Sequence, residues 1–301
     1  MSSKAKFRAV LFAIAVPSLA ACSSSDPPEA PSSAPPVGSL GAAPFFAAGA
    51  IGVSDLDRSF DFYSRVLGMK LRYEHIVEGV AKQKVLHFPS SKASDVVLFN
   101  YVDGQPHNYN RNPVKLVFYA PSATALIDGI RAEGLQILAE PVAQPAFGNV
   151  IVGFARDPDG YVLEFIEEPS LKVPYLGATG IGVSDLERSI DFYTRVLHME
   201  PQGGVIQVPN VWDEIILVYP SGKSSAVVLL HYTDGSTRNY TNNPIALVHG
   251  VTDARAAVAD IEREGLEVLS PPAIADRNGT RTLVGRARDP DGYTLEFVTA
   301  P

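Results

Sequence analysis

The sequence predicts an α+β protein built from four βαβββ modules, arranged as two tandem domains. Two observations carry that prediction. The first is an internal repeat: Ile51-Gly-Val-Ser-Asp-Leu-Asp-Arg-Ser-Phe-Asp-Phe-Tyr63 returns as Ile181-Gly-Val-Ser-Asp-Leu-Glu-Arg-Ser-Ile-Asp-Phe-Tyr193. Asn112-Pro113 returns as Asn243-Pro244, and Asp157-Pro-Asp-Gly-Tyr161 as Asp289-Pro-Asp-Gly-Tyr293. An offset that drifts only from 130 to 132 residues marks duplication of a whole domain, not a short-period solenoid. The second observation is that, inside each copy, short strand-like apolar runs surround single stretches of helical period.

In the first copy, Ala47–Val53 reads as a strand. It runs into Ser54-Asp-Leu-Asp57, a capping-box spacing that opens a helix. Leu56, Phe60, Tyr63 and Leu67 fall on one face of that helix, and Gly68 ends it. Three strands are expected around 70–74, 82–88 and 95–101, followed by a loop from Asp103-Gly104 through Pro113. Lys115–Tyr119 reads as the next strand and Ser122–Glu133 as the next helix, closed by Gly134. Three further strands follow, the last two joined by the Asp157-Pro-Asp-Gly160 turn.

Composition narrows the function. The 301 residues are 46% hydrophobic and 19% charged, which fits a globular chain. A net charge of −8 opposes nucleic-acid binding, which needs a basic surface. Cys22 is the only cysteine, so disulfide frameworks, Cys-rich zinc sites and CxxC redox pairs are excluded. Residues 1–21 read as an export signal: Lys4, Lys6 and Arg8 precede a short apolar run that is too short to span a bilayer. Leu19-Ala20-Ala21-Cys22 resembles a bacterial lipobox, which implies lipidation of Cys22. Residues 22–44, rich in Ser, Pro and Ala, read as a flexible tether. The expected location is the cell envelope, at the outer membrane facing the periplasm. The domains are expected at 45–169 and 174–300.

The Val-Ser-Asp-Leu-x-Arg-Ser-x-Asp-Phe-Tyr and Asp-Pro-Asp-Gly-Tyr-x-Leu-Glu-Phe motifs resemble those of the vicinal oxygen chelate superfamily. That superfamily includes glyoxalase I, bleomycin-resistance proteins and extradiol dioxygenases. The resemblance implies sheets from paired modules curling around a cavity. In the metal-dependent members, a divalent ion sits there on four His or Glu residues from the first and last strands of the modules. Motif spacing sets these positions at Ala48, Leu98, Lys115 and Glu164, and at Ala178, Leu229, Ala246 and Glu296. Only the two glutamates are donors, so neither a divalent metal nor any other cofactor is expected.

The candidate site residues are therefore Glu164 and Glu296 as cavity carboxylates with pKa values raised by burial, and Lys115 as an ammonium beside Glu164. Asn100 and His231, two residues beyond Leu98 and Leu229, are expected to face the same cavities. Glu164, Glu296 and His231 are the catalytic candidates; Lys115 and Asn100 join them as ligand-binding candidates. Because the link near 168–176 is short, the cavities are expected to form within each domain. The leading expectation is a lipid-anchored, metal-independent protein that binds a small, largely apolar molecule, with no oligomer required. A glyoxalase- or dioxygenase-type enzyme with a remodelled site is the first alternative, and an envelope scaffold is the second.

Overall fold

Each module opens with a strand that delivers the chain to a capped helix. The computed structural model describes residues 44–89, 94–145, 148–221, 224–240, 243–277 and 279–299. The expected signal segment, Cys22 and nearly all of the tether lie outside the described residues. Module one comprises β1 (Phe45–Gly52), α1 (Leu56–Arg65), β2 (Lys70–Val77), β3 (Ala81–His87) and β4 (Asp95–Tyr101). Module two comprises β5 (Val114–Ala120), α2 (Ala123–Ala132), β6 (Ile137–Gln144), β7 (Val150–Arg156) and β8 (Val162–Glu167). Module three comprises β9 (Tyr175–Gly182), α3 (Leu186–Arg195), the short β10 (Glu200–Pro201) and β11 (Ile206–Val208), β12 (Trp212–Val218) and β13 (Ala226–Tyr232). Module four comprises β14 (Ile245–Val251), α4 (Ala254–Arg263), β15 (Val268–Arg277), β16 (Thr280–Arg288) and β17 (Thr294–Thr299). The expected βαβββ order holds in all four. In module three the second strand is broken in two around Gly203-Gly204.

The helix starts are local chemistry. Asp55 accepts from the backbone N–H of Asp57 and Arg58 and is the cap of α1; Asp185 does the same for α3 through Arg188. Ser54, expected to open the capping box, is used elsewhere. Its hydroxyl donates to Asp159 at 2.5 Å, which ties the start of α1 to the Asp-Pro-Asp-Gly turn of module two. Tyr63 donates to Asp157 at 3.0 Å in the same junction, and Asp157 accepts the backbone N–H groups of Asp159 and Tyr161. Gly160 adopts φ +87°, so the turn needs a residue without a Cβ there. The second copy repeats the arrangement with Tyr193, Asp289 and Gly292.

The modules pair between domains, and this corrects the expectation that each domain would hold its own cavity. One eight-stranded sheet runs β15-β16-β17-β14-β1-β4-β3-β2, and so joins module four to module one. The other path, β10-β12-β13-β9-β5-β8-β7-β6, joins module three to module two. The seams are antiparallel: β1 pairs with β14, and β5 with β9. The short link from β8 to β9 connects strands of one sheet, which is why it can be short. The main hydrophobic core fills the space between helices and sheets, with Tyr63, Phe118, Tyr161, Tyr193 and Phe297 fully buried. The opposite faces of the two sheets are left to form the sites.

Candidate functional site

The two concave faces have the same architecture and different contents. The face made by modules one and four encloses an open cavity of about 480 Å³, within the range of small-molecule sites. Its apolar wall includes Ala48, Tyr73, Val97, Phe99, Ala246 and Val248. Its polar groups lie on the module-four side. Glu296 accepts from Arg277 Nη2 and from Arg286 Nε, each at 2.7 Å. Hairpin register places Arg286 directly opposite Glu296 on β16 and β17. Burial alone would raise the Glu296 pKa; the two guanidiniums outweigh it and hold the carboxyl below its ordinary range. This corrects the expectation of a raised value. Arg288, Thr282 and His75 also line the space. Burial lowers the His75 pKa, and neighbouring Arg277 lowers it further, which disfavours the imidazolium.

The face made by modules two and three is filled. Val117, Tyr119, Phe154, Trp212, Ile216 and Val228 pack into one apolar cluster where the open cavity has space. Tyr119 stacks on Tyr175 with ring centroids 5.1 Å apart. Within this cluster Lys115 Nζ lies 2.9 Å from Glu164 Oε2 and 2.8 Å from Glu214 Oε2, and all three residues are buried. Burial opposes the charge on Lys115, but the two carboxylates outweigh it and raise its pKa. For Glu164 burial prevails over Lys115, and the like charge of Glu214 pushes the same way, so its pKa is raised. Two carboxylates facing one ammonium carry one charge too many, which favours the neutral form of Glu164. Lys115 and Glu164 meet as the sequence suggested, but sealed from solvent.

Leu98 and Leu229 face the helices, inside the main core. Their neighbours Val97 and Phe99, and Val228 and Leu230, face the concave side instead. A register one residue off reverses every side chain on a strand. Asn100 and His231 follow the same parity, and the expectation that they face the cavities is corrected. The Asn100 amide donates to the carbonyls of Val53 and Ser54, while His231 Nδ1 lies 3.2 Å from the carbonyl of Val183. Both fasten the segment that enters a helix. Because His231 belongs to module three, module exchange puts it on the sheet of Lys115 and Glu164, yet on the other side of it. Glu214, Arg277, Arg286 and Thr282 were missed. Counting outward from the Asp289–Tyr293 turn would have set Arg286 against Glu296.

Comparison with known proteins fits this architecture. The family described as the Glyoxalase/Bleomycin resistance protein/Dioxygenase superfamily matches residues 46–165 and 175–297. A lactoylglutathione lyase of Arabidopsis thaliana is 32% identical over 251 residues, covering 82% of this chain and 88% of that protein. A lactoylglutathione lyase of Haemophilus influenzae is 33% identical over 125 residues, covering 40% of this chain and 90% of its own length. Glyoxalase I of Zea mays superposes with a TM-score of 0.69 at 22% identity, over 85% of this chain and 92% of that one.

This kinship overturns the expectation that the chain dispenses with a divalent metal, because the glyoxalase I proteins it resembles are among the metal-dependent members of the superfamily. The donors at the corresponding positions do not reproduce a four-ligand centre. On the open side, Ala48 and Ala246 carry no donor, and both Glu296 oxygens are engaged by arginines. On the filled side, Lys115 stands at a ligand position. Among the described residues no three His, Cys, Asp or Glu side chains are grouped. On the family match across both halves, supported by the curled, paired-module sheets, the chain belongs to the glyoxalase/bleomycin-resistance/dioxygenase superfamily.

Proposed function

We propose that the chain is a glyoxalase-type enzyme whose reaction takes place in the open cavity between modules one and four. The observation that carries this reading is the similarity, over both domains, to proteins named lactoylglutathione lyase. It replaces the expectation of simple sequestration. The substrate class is a thiol adduct of a small 2-oxoaldehyde. Such a hemithioacetal and the corresponding hydroxyacyl thioester are isomers. Their interconversion takes a proton from the carbon bearing sulfur and delivers one to the neighbouring carbon, while the hydroxyl proton passes between the two oxygens. Nothing is oxidised overall.

The cavity supplies groups suited to that transfer. Glu296 is a carboxylate kept ionised by its arginines, able to carry the carbon-bound proton. The guanidiniums of Arg277 and Arg286 oppose the negative charge that builds on the substrate oxygens. The apolar wall excludes water from the carbanion-like state.

The test is direct: purified protein is mixed with the adduct of methylglyoxal and glutathione, with nickel or zinc supplied, and thioester formation is followed by ultraviolet absorbance. Turnover that is lost in Glu296→Gln supports the reading. No turnover under any supplied metal overturns it. As to where it acts, the proposal is an exported protein held at the cell envelope by a lipid on Cys22, supported by the basic and apolar segment before that cysteine. Equal recovery of Cys22→Ser and wild type in the membrane fraction would refute the anchor.

A further inference from the structure

The floor of the open cavity contains hydrogen-bond donors without acceptors. Arg277 Nε and Thr282 Oγ1 are buried, line the cavity, and have no hydrogen-bond partner. A buried donor left unpaired is costly, so such groups mark a place where an acceptor belongs. Glu296 does not fill this role: it takes one N–H from Arg277, at Nη2, and one from Arg286, at Nε. Arg286 keeps its terminal nitrogens, and its side chain is about one-third exposed to the cavity.

Charge points the same way. Three guanidiniums, those of Arg277, Arg286 and Arg288, line this space against the single carboxylate of Glu296 on that side. Asp95 is also among the lining residues, and Arg72 neutralises it at 2.9 Å. Arg288 is tied to the Gly292 carbonyl and to Thr294, which fixes its charge in place. The filled face differs in its charge: Phe154 stands where Arg286 stands, each paired across its hairpin with the glutamate of its own module, although Arg156 and Trp212 also keep buried, unpaired N–H donors there.

We infer that Arg277, Arg286 and Thr282 form an anion subsite that takes the carboxylate of a small ligand whose body lies on the Tyr73, Val97 and Phe99 wall. Beside the proton-carrying role proposed above, Glu296 also positions this subsite. By bridging the two arginines it holds both guanidinium planes in place, and a planar fork held in place suits a planar carboxylate. The inference deepens the proposed function, since it rests on the same cavity being the substrate site, and it narrows the substrates to acids with an apolar portion.

Calorimetric titration of the full chain with phenylacetate and its neutral isostere phenylacetamide tests it. The acid is expected to bind about ten-fold or more tightly than the amide. Arg286→Gln and Thr282→Val should each erase most of that preference while leaving the amide affinity unchanged. Equal affinity for acid and amide overturns the inference, as does a preference untouched by both variants. Because binding is read without turnover, failure of the glyoxalase assay with the acid preference intact counts against the proposed reaction alone. Turnover without an acid preference counts against the subsite alone. Thermal unfolding of each variant, within a few degrees of wild type, separates loss of the subsite from loss of the fold.

Discussion

The open and filled faces are built from equivalent module pairs and differ at a handful of register-equivalent positions. Where the filled face has Lys115, the open face has Ala246; Trp212 corresponds to Ala81, Tyr119 to Gly250, Glu214 to Gln83, and Phe154 to Arg286. Four of these exchanges give the filled face more side-chain volume or a second carboxylate. The difference teaches that the fold supplies a concavity twice, and that side-chain size on a few inward strand positions decides whether it becomes a site or a second core. In the filled face the remaining polarity is internal: the Lys115 ammonium is spent on Glu164 and Glu214. In the open face the arginines keep donors for something that arrives from outside.

The sharpest break in that comparison is Lys115→Met. It leaves Glu164 and Glu214 buried in an apolar cluster without their ammonium, and removal of one partner from a buried ionic group costs about 3–5 kcal/mol. Denaturant unfolding should show a loss of that order, and a loss below about 1 kcal/mol would mean that the triad is not sealed. Next in size, Glu296→Gln is expected to lower turnover by ~10²-fold or more with a smaller change in unfolding free energy than Lys115→Met, because the glutamine oxygen still accepts from one arginine and Arg286 is partly exposed. Activity and melting measured on one preparation check both halves of that statement.

Ala81→Trp then copies the filled face into the open one. It should abolish phenylacetate binding while changing stability by no more than about 1–3 kcal/mol, the usual range for overpacking. A binder that survives this substitution does not occupy the cavity.

A feature shared by both halves bears least on the difference between the faces. Burial pushes the Asp157 and Asp289 carboxyls up to about 7 from 3.8, against the pull of their hydrogen bonds. A folded state that holds a proton more tightly than the unfolded chain contributes stability that is complete below about pH 4 and fades as pH rises through about 7. Unfolding free energy should therefore fall across this interval. Asp157→Asn, which carries no titrating proton, should flatten part of the slope without altering the difference between the two faces.

Much of the fold was legible because it is written locally. The helix stripes and the Asp-Pro-Asp-Gly turns each depend on residues a few positions apart, and the start of α1 was read one residue early, at Ser54 where Asp55 is the cap. What was misread depends on parity and partnership. Leu98 and Asn100 were placed one residue out of phase, and no local signal fixes the phase of an apolar run such as Val96–Phe99 that is buried on both sides. The pairing of modules was misjudged because a short link was taken as evidence for closure within a domain. It connects module two to module three, and a short connection favours spatial neighbours. Glu214 and Arg277 were missed because β12 and β15 carry no repeated motif, and only the assembled sheet shows which side chains converge.

Module exchange has a consequence for how this chain can vary. In a symmetric dimer of single-copy chains, every substitution appears in both cavities at once, so a change that improves one as a core ruins the other as a site. Here the two seams, β1 with β14 and β5 with β9, are encoded by separate stretches of one polypeptide. Lysine at 115 need not be lysine at 246. The covalent link between the copies thus removes a symmetry constraint, and the division of labour between a braced half and a receptive half is what that freedom permits.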